Sequence, residues 1–165
     1  MVDYPSECAV DANILIDFHA GGLLKEVFQL PFKLAAPDVI VAELDEPKGE
    51  TLLQLGLESR SLSGTQVGQV EAKVRQYDRV STNDLFALVL AQLLGAVLLT
   101  GESQLRQIAK QEGTQVHGTL WLLDWMIELQ IIEQAQAAEA LGQTLDQGRW
   151  LPATECQRRI EQWKR

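Results

Sequence analysis

Residues 81–102, STNDLFALVLAQLLGAVLLTGE, constrain the fold more than any other stretch of the chain. Ser81 followed by Asp84 has the form of a capping box, a helix-start signal in which a hydroxyl takes up an N–H that the first turn leaves unpaired. Residues 84–94 are almost all apolar, which predicts a helix buried on most of its surface. Gly95 breaks it. Residues 96–100 then form a short apolar run bounded by Gly95 and Gly101, as expected of a central parallel strand. Glu102 follows where a new helix begins. In an open α/β sheet, ligands bind in crevices at the C-terminal ends of strands. Asp84 and Glu102 bracket this unit, so the rest of the chain can be searched for their partners.

The same pattern recurs upstream. Residues 7–10, ECAV, read as a short strand that ends on Asp11, with a helix starting beyond Asn13 and ending at Gly21-Gly22. Residues 23–29 predict a second helix and residues 32–36 a second strand. Residues 38–46 have a β-rich Val39-Ile40-Val41 run. However, Pro37 at a helix start and Val39, Ala42 and Glu43 at helical spacing favour a helix. Leu53, Leu55 and Leu57 alternate with Gln54, Gly56 and Glu58, which predicts an edge strand. Residues 64–77 predict a polar amphipathic helix. Beyond Glu102, Leu105, Ile108 and Ala109 mark the core face of a helix ending at Gly113, and residues 114–117 a last strand. Residues 119–132, 133–145 and 152–163 predict three further helices, the first very apolar and the last basic. Strands alternating with helices imply a three-layer α/β/α sandwich around a short parallel sheet of four or five strands. The expected organisation is a catalytic unit over residues 1–130 with a helical extension, 131–165, packed on it.

Charge narrows the function classes. The 165 residues carry a net charge of −9, and residues 1–50 hold ten acids against three lysines. That balance argues against a broad nucleic-acid-binding face, which needs clustered Lys and Arg. It leaves room for an enzyme that reaches phosphates through metal ions. Asp3 and Glu7 sit where the basic and apolar regions of a signal peptide would be, and residues 85–99 are too short to span a bilayer. Two cysteines, Cys8 and Cys156, make no disulfide framework, so a reducing cytoplasm is the expected compartment.

Asp11, Glu43, Asp84 and Glu102 each fall just after a strand or on the helix that follows one. Brought together, four carboxylates repel unless a cation is present. Hard oxygen donors with few histidines select Mg²⁺ or Mn²⁺ over zinc. Such a site can activate water and stabilise the leaving oxygen in phosphodiester hydrolysis. Each acid also has a plainer reading. Asp84 serves equally as a capping-box residue. Glu102 in a first turn is favoured by the helix dipole. Glu43, beside Asp45 and Glu46, reads best by itself as part of a solvated face. Asp11 is hardest to explain away, because a carboxylate at the end of a buried strand needs compensation.

The segments CAVDANILID, APDVIVAEL, STNDLFALVLAQLLGAVLLTGESQLRQIAKQEG and TQVHGTLWLLDWM resemble, in order, the successive motifs of the PIN-domain nucleases. The resemblance covers most of residues 8–126 and rests chiefly on the ND-helix-strand-TG-acid-x-x-LR unit. It implies a metal-dependent ribonuclease, commonly the VapC-type toxin of a toxin–antitoxin pair, using Mg²⁺ or Mn²⁺. Position by position, Asp11, Glu43 and Asp84 match three metal-site acids. Glu102 matches the fourth, where the family more often has Asp. Asn13 and Ser103 match polar positions that orient ligands or water; Asn83, which precedes the third acid, reads equally as another of these or as a helix-start residue.

Other features carry less. Arg106 and Lys110 follow Glu102 at one-turn intervals, as RNA-backbone contacts or as solvated partners of nearby acids. Trp121 and Trp125 read as core or subunit interface, Asp124 and Glu128 as an exposed pair, and His19 and His117 as isolated. The helix over residues 119–132 offers more apolar surface than one core face hides, which predicts a homodimer or a helical partner such as an antitoxin. The rival from another class is a PIN-like scaffold without useful activity that binds protein or RNA. A small-molecule phosphohydrolase fits less well, since the first strand ends DAN rather than D-x-D.

Overall fold

The computed structural model describes residues 3–165, so the first two positions of the expected 1–130 unit lie outside it. Among the described residues the chain forms five strands and ten helices. β1 (Glu7–Val10) leads through α1 (Ala12–Ala20) and α2 (Leu24–Val27) to β2 (Lys33–Pro37). From there α3 (Asp38–Glu43) and α4 (Gly49–Leu55) lead to β3 (Glu58–Arg60). Next, α5 (Gly64–Gln76) and α6 (Thr82–Leu94) lead to β4 (Val97–Leu99), and α7 (Ser103–Gln111) to β5 (Val116–His117). Helices α8 (Thr119–Glu128), α9 (Gln134–Asp146) and α10 (Ala153–Trp163) complete the chain. The strands form one sheet in the order β3-β2-β1-β4-β5, with every pair parallel.

Side chains alternate along these strands and feed two cores. Cys8 and Val10 of β1, Leu34 of β2 and Leu99 of β4 face a core built with Ile14, Leu15 and Phe18 of α1, Leu122 and Met126 of α8, and Leu141 of α9. Ala9, Ala35 and Leu98 face the other, with Leu85 and Leu88 of α6 and Leu105 of α7. Both faces of the sheet are thus covered, which is why its inner strands β1, β2 and β4 read as apolar runs. The result is the three-layer α/β/α sandwich.

Residues C-terminal to 130 contribute to the first core through Ala137, Leu141, Cys156 and Trp163. They help to bury the very apolar α8. Its Leu120, Leu122, Leu123 and Met126 are buried, and Trp121 and Trp125 are half-buried in an aromatic cluster with Tyr4, Phe32 and His117. The exposed large hydrophobic side chains among the described residues lie off this helix, so the surplus that suggested a partner is largely covered within the chain. Asp124 is exposed as expected but holds Arg159 of α10 at 2.8 Å.

One expectation fails. Leu53, Leu55 and Leu57 do not alternate along an edge strand: residues 49–55 are α4, which ends at Gly56 with φ +124°, and the edge strand is Glu58–Arg60. The buried residue is Leu52, while Leu53 is 42% exposed, so the leucines follow a helical face that the alternation masks. The true strand is polar and half-exposed and carries no apolar signal. Among the described residues no helix is long and apolar enough to cross a membrane.

Candidate functional site

The strand order sets β2 and β4 on opposite sides of β1, so the order of strand addition reverses between β1 and β4, the point at which α/β sheets open a crevice. Asp11 leaves β1 there and Thr100 leaves β4. The Asp11 N–H donates to the Leu99 carbonyl at 3.1 Å. Its Oδ1 accepts from the Ile14 N–H at 3.1 Å, which makes Asp11 the N-cap of α1. The Thr100 hydroxyl donates to Oδ2 and itself accepts from the Glu102 N–H at 3.0 Å. A single hydroxyl therefore links the first and fourth candidate acids.

Asp11 is 0% exposed. Burial pushes its carboxyl up to about 7, against the hydrogen bonds from Thr100 and Ile14, and the charges of Asp84 and Asp17 push it further. Burial also raises the Asp84 carboxyl above the ordinary carboxylate range, with the Glu102 charge adding and Ser81 opposing. Glu102 thus acts on Asp84, and Asp84 on Asp11. Ser81 Oγ accepts the Asp84 N–H at 3.1 Å, so the serine caps the start of α6. Glu102 caps α7, accepting from Gln104 N–H at 3.4 Å.

Glu43, the last residue of α3, is exposed, and its Oε2 accepts from Asn83 Nδ2 at 2.5 Å. Glu43, Asn83 and Asp84 line a cleft of about 320 Å³ beside Ala12. Among the described residues, no three acidic, His or Cys side chains are gathered closely enough to form a ready metal cage. The donors nonetheless fit a hard divalent cation in kind. They are all oxygens, and two of the carboxyls are held high by burial and neighbouring negative charge, a condition that a cation relieves.

The flanking polar residues divide. Asn13 Oδ1 accepts from an Arg149 guanidinium N–H at 3.2 Å, while Ser103 is exposed at the start of α7. Arg106 Nη1 donates to the Thr100 carbonyl at 2.9 Å, bracing the same turn. It packs over Gly118, where a Cβ would lie 2.9 Å from Nη1 and the guanidinium would have to shift. Three contributors were not visible as such in the sequence. Thr100 looked like a strand end. Asp17 is 2% exposed and takes hydrogen bonds from Thr119 at 2.8 Å and Arg149 at 2.7 Å. An acid in an otherwise apolar helix was the available signal for Asp17; loop residue Arg149 offered none.

A family model described as "PIN domain" matches residues 7–165. No curated protein matches the chain. A PilT N-terminus domain protein from the archaeon Sulfolobus solfataricus P2 is similar in structure, with a TM-score of 0.56 and 17% identity over 74% of this chain and 94% of that one. VapBC2 from Rickettsia felis, solved bound to a DNA fragment from its promoter, aligns at a TM-score of 0.49 and 16% identity over 68% of this chain and 98% of that one.

Proposed function

The chain belongs to the PIN-domain family, whose members are generally nucleases, and from that premise we propose that it is a metal-dependent endoribonuclease. The observation that carries this reading is the buried Asp11 carboxyl at the sheet's switch point, under the charge of Asp84 and joined through Thr100 to the turn that holds Glu102. Mg²⁺ or Mn²⁺ bound there would supply a Lewis acid that activates water and neutralises charge on the phosphodiester. Asp11, Glu43 and Asp84 would hold the first ion and Glu102 would assist at a second. Asn83 orients Glu43, and Thr100 orients Asp11. Asn13, itself held by Arg149, and Ser103 position water or substrate, and Arg106 faces the RNA backbone. No Ser, Cys or His nucleophile is required.

Within this reading the protein is the toxin of a toxin–antitoxin pair acting in the cytoplasm, with a protein antitoxin as partner and a homodimer as its expected assembly. The competing reading is a PIN scaffold with weak or no activity that binds protein or RNA. The lack of a ready metal cage among the described residues and the Glu at position 102 favour it. Cleavage of a single-stranded RNA with Mg²⁺, Mn²⁺ or EDTA separates the two. Cleavage should need the metal, vanish in Asp11→Asn and Asp84→Asn, and survive in Glu102→Asp. Equal cleavage in EDTA would refute the metal mechanism, and no cleavage with either ion would leave the scaffold reading.

A further inference from the structure

A second cavity, of about 390 Å³, opens between the C-terminal ends of β4 and β5 and the loop that joins α9 to α10. Gly101 and Ser103 are among its walls, so it adjoins the turn carrying Glu102. Its volume lies in the range of small-ligand sites. Two side chains in its lining keep groups free to meet a ligand.

The first is Trp150, which is 70% exposed and lines the cavity. Its neighbours are anchored on both sides. Arg149 binds Asp17 at 2.7 Å and Asn13 at 3.2 Å, and Leu151 is 6% exposed. The backbone at Trp150 is therefore fixed before anything binds, while the indole remains in solvent. It is held out beside the candidate active site. The second feature is Arg106. It pairs with no carboxylate among the described residues, whereas Arg159 in the same cavity is held by Asp124 at 2.8 Å. His117, stacked on Trp121 at 4.5 Å and 4°, also lines the cavity.

We infer that this cavity is a nucleotide subsite for single-stranded RNA, in which Trp150 stacks on a base and Arg106 holds the adjoining phosphate. The inference rests on the nuclease reading and deepens it, placing one nucleotide of the substrate beside Glu102. A chain of net charge −9 has no broad basic field to gather a polyanion, so a strand must be held by few, local contacts. Stacking is suited to that, since every base has a π-face and the contact needs no sequence. Glu155 on the rim keeps the mouth much less basic than a duplex-binding face, which suits a single nucleotide.

The test uses a fluorescein-labelled single-stranded oligoribonucleotide of mixed sequence. Binding is read by anisotropy in an Asp84→Asn background, and cleavage of the same RNA with Mn²⁺ is read in the chain that keeps Asp84. Adding Trp150→Ala should weaken binding about tenfold or more, the range that loss of one stacked base gives. Trp150→Phe should retain most of the affinity. Arg106→Gln should weaken binding and lower its log–log salt slope by about one, as loss of a phosphate contact does. Thermal midpoints should not move with either Trp150 variant, since the indole is exposed. If the parent cleaves RNA while Trp150→Ala binds as tightly as the background, the subsite is refuted and the nuclease reading stands. If Trp150→Ala instead changes the oligomeric state in light scattering with RNA affinity intact, the surface docks protein and the inference falls. If the parent neither binds nor cleaves RNA, both fall together.

Discussion

Burial raises the Asp11 carboxyl from 3.8 to about 7, so the metal-free folded chain keeps a proton there that the unfolded chain gives up at much lower pH. Between those values the folded state binds more protons than the unfolded one, and stability falls as pH rises. Above about 7 this contribution is fully lost and the curve flattens. Asp11→Asn removes the titration while keeping an acceptor for Ile14. In EDTA, the parent should therefore lose stability relative to Asp11→Asn as pH rises from about 4 to 7, a window set by the raised Asp11 carboxyl. Parallel denaturation curves for the two proteins would assign the effect elsewhere. Asp84 separates from its cap in a similar comparison. Because Ser81 supplies the cap, Ser81→Ala should cost about 1 kcal/mol. Asp84→Asn in EDTA should be at least as stable as the parent, since it removes a charge that burial penalises and Glu102 repels. Mn²⁺ at a hundredfold excess over its dissociation constant should stabilise the parent by roughly 2.7 kcal/mol and Asp84→Asn by much less. An Asp84→Asn protein that melts lower than the parent in EDTA and gains equally from Mn²⁺ would make Asp84 structural.

At the scale of elements, legibility followed how far local sequence and packing agreed. The stretch 81–102 became α6, β4 and the N-cap of α7 because its cap, its apolar run and its glycines all specify the same turns. Asp11 was legible for the same reason: the strand before it is apolar and the acid ends it abruptly. Residues 49–60 were not, because two leucines spaced by two mimic a strand inside a single helical turn, and the real edge strand shows its polar side chains to solvent. A pair of truncations distinguishes these readings. Leu52→Ala should cost about 2–5 kcal/mol as a core deletion, whereas Leu53→Ala, at 42% exposure, should stay within about 0.5 kcal/mol. An edge strand with Leu53 facing the core would reverse that order in urea denaturation. The partners of the acids were hidden for another reason. Thr100, Asp17 and Arg149 reach the site through tertiary contacts across 89 and 132 residues of chain, which no local pattern encodes.

Over the whole molecule, the bond between Asp17 and Arg149 decides whether residues 131–165 are an appendage or part of one folding unit. Asp17 is nearly fully buried on α1, and Arg149 comes from the loop after α9 to meet it at 2.7 Å, with Thr119 of α8 donating to the other oxygen at 2.8 Å. Two segments far apart in sequence thus satisfy a carboxylate carried by a third. The same Arg149 holds Asn13 two residues after Asp11, so the extension also fixes the entrance to the candidate site. Arg149→Met leaves a carboxylate buried without its cation, which typically costs about 3–5 kcal/mol. Adding Asp17→Asn to that variant removes the stranded charge and should recover much of the loss, as a neutral amide can still accept from Thr119. If the extension shares one cooperative unit with the sheet, far-ultraviolet circular dichroism and tryptophan fluorescence should report a single coincident unfolding transition in the parent. In Arg149→Met the transition should shift to lower denaturant and stay single. An early, separate transition for the C-terminal helices, or an Arg149→Met protein as stable as the parent, would show instead that the extension is an independent layer.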